Sequence, residues 1–148
     1  MKKKVRGSKY NPGGYDLRVK RSSAGLGLFA GEAIPKGKCV IEYVGRTISK
    51  KEEETSRSKY LFEINKNKTI DGKPKWNKAG YINHSCDPNC ETDIYNGRVY
   101  VISIKPIKEG EELTYDYGEV YCLDHCMPCM CGAKTHLYKK PAKEKASK

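Results

Sequence analysis

Along most of the chain, apolar and polar residues alternate over short stretches broken by glycine, proline and asparagine. YDLRVKR at 15–21 alternates and predicts a short strand. SSAGLGLFA at 22–30 predicts a glycine-interrupted turn running into a second strand, and IPKG at 34–37 a further turn. KCVIEYVGRTIS at 38–49 is β-branched and aromatic and predicts a third strand. KKEEETSRS at 50–58 is the one good helix candidate, and it is short. KYLFEINKNKTIDG at 59–72 predicts two strands joined by an Asn/Lys turn, and WNKAGYINHS at 76–85 a short helical turn. GRVYVISIKPI at 97–107 alternates strictly and is the clearest strand. KEGEELTYDYG at 108–118 predicts a turn and a last short strand, and beyond 118 the chain is Cys-rich and irregular. No βαβ rhythm, repeat or heptad is present. The pattern predicts a mainly β architecture of many short strands.

Composition narrows this. A chain of 148 residues suits one domain with a real core. The mix of 37% hydrophobic and 32% charged residues is that of a soluble globular protein. No run of about 18 apolar residues exists, so no membrane contact is expected. The basic start MKKKVRGSKY is not followed by an apolar segment and does not read as a secretory signal. The protein is therefore expected inside the cell.

The net charge of +11 is concentrated at the ends. Residues 1–10 carry five Lys/Arg and no acid, and KKPAKEKASK at 139–148 carries five Lys and one Glu. What remains between them is 19 basic and 17 acidic residues. Two readings stay open: solvated, disordered tails, or weak, salt-sensitive attraction to nucleic acid.

Seven cysteines are present, and Cys122, Cys126, Cys129 and Cys131 fall within ten residues. In a reducing compartment such a cluster points to metal rather than disulfides. Isolated Cys39 fits a small buried thiol. Two further stretches carry candidate chemistry. AGLGLFA at 24–30 places two glycines one residue apart, which lets backbone approach a ligand closely. It lacks the third glycine of a dinucleotide fingerprint. NHSCDPNC at 83–90 packs a histidine and two cysteines into eight positions.

The order of motifs is more specific than any one of them. Gly-x-Gly, EYVG, YLFEI, NHSCDPN, EELTYDYG and a CxCG tail follow one another. This succession resembles the SET-domain family of protein lysine methyltransferases, with a post-SET zinc tail. The resemblance covers roughly residues 15–140, and the short chain is similar to the compact standalone members. It implies a SET fold of several small β-sheets with a pseudoknot, plus a short irregular post-SET zinc tail. The implied organisation is a basic N-terminal arm at 1–14, the SET domain at 15–118, the Cys-rich segment at 119–140 and a disordered basic tail at 141–148. The expected location is cytoplasmic in a bacterium, or nuclear in a eukaryotic or viral setting.

The resemblance also assigns roles. It implies that S-adenosylmethionine is held by Gly25, Leu26, Gly27, Asn83 and His84, largely through main-chain groups, with Tyr60 and Tyr117 beside it. Tyr117 matches the family's essential tyrosine, whose hydroxyl orients the lysine amine. Tyr115 matches a Phe/Tyr position at which tyrosine limits the product, implying mono-methylation. Tyr60 matches a further channel tyrosine. The implied zinc ligands are Cys86, Cys129, Cys131 and His136, with His136 where a third tail cysteine would fall. His84 is then neither ligand nor general base. A tail-only site of Cys122, Cys126, Cys129 and Cys131, with His125 nearby, remains open, and Cys90 reads as structural. Two departures stand out: Gly80 replaces the usual Arg, and Trp76 replaces a Gly before Asn77. Of the acidic residues near the expected channel mouth, Glu111 and Glu112 are expected in a surface turn, while Asp116 and Glu119 could attract a basic peptide. The implied substrate is a lysine of a histone or another basic protein. The rival expectation is an inactive SET-like module docking on nucleic acid or chromatin through its basic tails.

Overall fold

A computed structural model describes residues 10–23, 25–125, 129 and 131–137. The N-terminal hairpin pairs β1 (Leu17–Ser22) with β2 (Gly25–Ala30) in antiparallel register, Leu17 opposite Ala30 and Ser22 opposite Gly25. The expected third strand is two. β3 (Cys39–Tyr43) and β4 (Arg46–Ile48) belong to different sheets and part at Gly45. A Cβ at Gly45 would lie 2.1 Å from the Asp71 carbonyl, so only glycine lets the two segments cross there.

β4 joins β5 (Leu61–Asn65) and β6 (Lys68–Asp71) in the order β4-β6-β5. β3 joins β8 (Cys90–Tyr95) and β9 (Arg98–Ser103) in the order β3-β9-β8. The β8–β9 turn is Asn96-Gly97, both at positive φ, the pairing that tight hairpins favour. Between the sheets lie a 3₁₀ turn, η1 (Lys78–Tyr81), and β7 (Asn83–His84), which pairs in parallel with β10 (Thr114–Tyr115). The mainly β expectation holds, as several small sheets and no closed barrel.

Two helices flank them. α1 (Lys50–Thr55) is shorter than the 50–58 expected. It is capped by the Ser49 hydroxyl accepting from the Glu52 N–H and ends at Ser56. α2 (Glu119–His125) forms where irregular chain was expected. No helix among the described residues is long and apolar enough to cross a membrane.

The core gathers Leu28, Ile34, Ile82, Val99, Val101, Ile107 and Leu113, each at most 2% exposed. At about 1.5–3 kcal/mol per buried aliphatic side chain, these residues bind the hairpin, the central sheet and the C-terminal strand into one body. The segment before β1 joins it: Tyr10 donates to the Asp93 carboxylate and packs against Tyr95 and Tyr100.

Candidate active site and metal centre

A cavity of about 450 Å³ opens beside β2, η1, β10 and α2, and its walls include Tyr43, Tyr60, Tyr81, Tyr115, Tyr117 and Tyr121. Of the three tyrosines expected, Tyr115 and Tyr117 lie side by side with ring centroids 5.1 Å apart. Tyr60 sits at the rim, 39% exposed. The Tyr117 O–H donates to the Ile82 carbonyl at 2.5 Å. Its proton is thereby committed, and its oxygen presents lone pairs as an acceptor. Tyr121 meets the Tyr117 ring edge-on at 5.2 Å.

Burial pushes the phenols of Tyr43 and Tyr115 up from their ordinary value, so both stay neutral. Tyr43 spends its proton on the Tyr60 carbonyl at 2.8 Å. The cavity is therefore an aromatic chamber without a strong base. Gly80 contributes to its wall, and no arginine side chain fills that place.

The Gly-x-Gly segment divides its work. Gly25, at φ +107°, makes the turn out of β1, whereas Leu26 and Gly27 already pair within β2. A Cβ at Gly27 would stand 2.3 Å from Glu112 Oε2, so here glycine serves close approach. Glu112 is not in a surface turn. Its carboxylate accepts from Ser22 Oγ at 2.9 Å and from Asn83 Nδ2 at 2.8 Å, while Asn83 Nδ2 also donates to the Leu26 carbonyl at 2.9 Å. One carboxylate thus clasps the hairpin turn to Asn83. Glu111 does lie in the exposed turn, accepting from the Lys108 N–H.

His84 is buried, and desolvation lowers its pKa, so the ring is neutral. The Tyr117 N–H donates to His84 Nδ1 at 3.1 Å. The Asp116 carboxylate is 3.7 Å from the same nitrogen, beyond hydrogen-bond length. Nδ1 is then the bare nitrogen and Nε2 carries the proton, 3.3 Å from Cys86 Sγ.

The tail returns to this point across more than forty residues of chain. The ligand atoms of His84, Cys86, Cys129 and Cys131 lie within 4.8 Å of one another. Cys86 Sγ is 3.8 Å from Cys129 Sγ, and Cys131 Sγ is 3.6 Å from His136 Nδ1. A tetrahedral zinc with ordinary bond lengths sets sulfurs about 3.8 Å apart and nitrogen about 3.6 Å from sulfur. Both edges match. Burial opposes ionisation of Cys131, but N–H groups of Cys86 and Ala133 bring its thiol down to about 6. Cys122 packs instead against His84, its Sγ 3.5 Å from Nδ1, and Cys126 lies outside the described residues. Cys90 is 1% exposed in the core, and burial raises its thiol to about 12, which fits a structural role.

Sequence reasoning missed Tyr43, Tyr121 and the Glu112 clasp. Tyr43 was visible as a fixed-phase residue of β3. Tyr121 required α2, and Glu112 required knowing which turn faces β2.

The chain matches the SET domain family over residues 25–118. It is 41% identical over 122 residues to histone-lysine N-methyltransferase 2D of Homo sapiens, covering 74% of this chain and 2% of that protein. It is 39% identical over 124 residues to histone-lysine N-methyltransferase set-2 of Caenorhabditis elegans, covering 75% of this chain and 8% of that one. It is 38% identical over 143 residues to histone-lysine N-methyltransferase ASHH3 of Arabidopsis thaliana, covering 86% of this chain and 39% of that protein. The chain thus spans a small part of each relative's length. With the motif order, the small sheets around a tyrosine-walled cleft and a match over more than half its length, this chain belongs to the SET-domain family.

Proposed function

We propose that the protein transfers a methyl group from S-adenosylmethionine to the side-chain amine of a lysine in a basic protein, a histone being one such substrate. The observation that carries this is the aromatic chamber: Tyr115 and Tyr117 side by side, with the Tyr117 hydroxyl anchored on the Ile82 carbonyl. A free lysine has a pKa near 10.4, so at neutral pH it arrives charged. A dry aromatic tunnel favours the neutral amine and tolerates methylated cations. Desolvation then does what a strong base would otherwise do, in keeping with the neutral phenols of Tyr43 and Tyr115. The Tyr117 oxygen orients the amine as an acceptor, and alignment contributes most of the acceleration.

Gly25, Leu26, Gly27, Asn83 and His84 would hold the cofactor, with Tyr60 and Tyr117 alongside. Leu26 and the fixed Asn83 carboxamide line the cavity, and Gly25, Gly27 and His84 are their chain neighbours. When bound, the cofactor supplies an electrophilic methyl on a sulfonium. The buried Tyr115 phenol occupies room beside the amine, which favours mono-methylation.

For zinc, we read Cys86, Cys129 and Cys131 as ligands of one structural site and His136, 3.6 Å from the Cys131 sulfur, as the fourth. The Nε2 proton of His84 makes that residue a hydrogen-bond donor to the Cys86 sulfur rather than a ligand. In this reading residues 15–118 form the catalytic domain, residues 119–140 a zinc-bound tail closing the cleft, and 1–14 and 141–148 basic extensions. The inactive docking module is less well supported, because the cleft tyrosines and the Asn83–His84 pair are all in place. The tails it relies on, at 1–9 and 138–148, lie outside the described residues.

The test is radiolabelled methyl transfer to histone and to other basic proteins. Wild type should label a lysine. Tyr117→Phe should lose at least about a hundredfold in rate while still binding cofactor, and Tyr115→Phe should shift product toward di- and tri-methyl-lysine. Wild type that neither binds S-adenosylmethionine nor transfers label would defeat the proposal.

A further inference from the structure

The sole tryptophan of the chain is displayed rather than buried. Trp76 is 67% exposed, the most of any large apolar residue described. It sits beside Lys75 at the tip of a turn closed by the Asn77 N–H donating to the Pro74 carbonyl at 3.0 Å. The base of that turn is rigid. Asn77 is 1% exposed, donates to the Gly72 carbonyl at 3.1 Å and accepts from the Val44 N–H at 3.1 Å. Exposing an indole forgoes its burial, and this anchored turn holds it out without a packing partner in the described fold.

A groove runs next to the turn, between α1 and the end of β6. Arg57, Lys59, Lys73 and Lys75 line it together with the hydroxyls of Ser56 and Ser58. All four cations are exposed, and none is in an ion pair with another described residue. The acids on the groove are already engaged. Glu52 pairs with Arg46 at 3.0 Å, and the Asp71 carboxylate accepts from Ser58 Oγ and the Lys73 N–H. With Arg46, the groove carries five cations against the two carboxylates of Glu52 and Asp71, a net charge of +3 that attracts a polyanion.

Cations in a groove next to a projecting aromatic ring suit one ligand chemistry: phosphates along the groove and an unpaired base on the ring. A duplex offers no open base face to such a ring, and an acidic peptide stacks only where it carries an aromatic or arginine side chain, whereas every unpaired nucleotide brings a base face. We infer that the groove between α1 and β6, together with exposed Trp76 next in the chain to its lining residue Lys75, binds single-stranded nucleic acid. This surface belongs to the folded body, is separate from the basic ends of the chain, and does not depend on the reaction proposed for the cleft.

Trp76 is its own reporter. Titrating the full-length chain with a thymidine oligonucleotide of about 12 residues should quench tryptophan emission saturably. Log affinity should fall with log salt at about −0.7 per phosphate neutralised, hence a slope of about −2 to −3. Followed by the anisotropy of a dye-labelled oligonucleotide, since these variants hold no tryptophan, Trp76→Ala should weaken binding by about tenfold or more with the salt slope unchanged, and Trp76→Phe should restore part of it. Lys73→Ala with Lys75→Ala should flatten the slope by about 1.4 with normal circular dichroism. Three results would overturn the inference. One is unchanged affinity and slope in the Arg57/Lys59/Lys73/Lys75 alanine variant, which assigns binding to the chain ends. The second is duplex bound as tightly as single strand. The third is polyglutamate competing equally while Trp76→Ala has no effect, which marks an acidic protein partner.

Discussion

At Glu112 one carboxylate joins three pieces of chain: Ser22 before the hairpin turn, Asn83 on β7 and, by close approach, Gly27 on β2. Both Nδ2 protons of Asn83 are spent, one on Glu112 and one on the Leu26 carbonyl, so its amide is fixed in one orientation. Hydrogen bonds to a charged group contribute about 1.5–3 kcal/mol. Glu112→Ala should therefore weaken cofactor binding by about tenfold, and Glu112→Gln, which keeps the shape and the Asn83 contact but must donate to Ser22 Oγ instead of accepting from it, by about threefold. Calorimetric titration with S-adenosylmethionine checks the order, and unchanged affinity in both variants would show that the clasp is merely structural.

Buried thiols set the alkaline limit. Burial raises Cys90 from 9.0 to about 12, and raises Cys39, with help from Glu42, to about 11. In the unfolded chain these thiols ionise near 9, so above that pH the folded state holds more protons and stability falls as pH rises. Between about pH 8 and 10 each thiol costs up to about 1.4 kcal/mol. Urea unfolding across that range should show the decline. Cys90→Ala should lessen it while costing some stability at neutral pH through lost packing.

Among the elements, the β8–β9 hairpin depends most on its turn. Asn96 has φ 52° and Gly97 φ 75°, and β8 itself is mostly polar outside Cys90 and Ile94. Gly97→Ala adds a Cβ at positive φ and 3.0 Å from Lys68 Nζ. A loss of about 1–2 kcal/mol in urea denaturation is expected. The Asn-Gly pair before GRVYVIS was a readable hairpin signal. CETDIY carries no apolar alternation, since Glu91, Thr92 and Asp93 are consecutive and Ile94 is exposed, so its strand is set by pairing with β9. The single run 38–49 hid a change of sheet, since periodicity follows side-chain alternation and carries no information on which partner a strand finds. The unforeseen helix α2 depends on a tail that folds back to the NHSC segment.

Across the whole molecule, the proposed zinc joins the middle of the chain to its tail. Cys86 lies in the middle of the chain and its partners at 129–136, so a shared ion closes a loop of more than forty residues. Cys86→Ser should lose bound zinc and expose the tail to protease, whereas Cys122→Ser should keep the metal, because Cys122 contacts His84 instead. Metal content by mass spectrometry decides it. The reverse pattern would transfer the site to the tail cysteines.

The sequence by itself determined the inventory: a β-rich chain, a Gly-x-Gly hairpin, the NHSC and TYDY segments, and a cysteine tail in a recognisable order. Motif order survives in one dimension, because each short segment carries its residue types at fixed spacing. Only the tertiary structure decided the partnerships. Glu112 reaches Asn83 rather than solvent, the His84 ring receives the Tyr117 N–H, and Cys129 and Cys131 return to Cys86. Trp76 is left on an anchored turn beside unpaired cations. Such pairings span tens of residues, and they are set by which hydrophobic faces pack together, a property of the whole core that no single stretch of sequence carries.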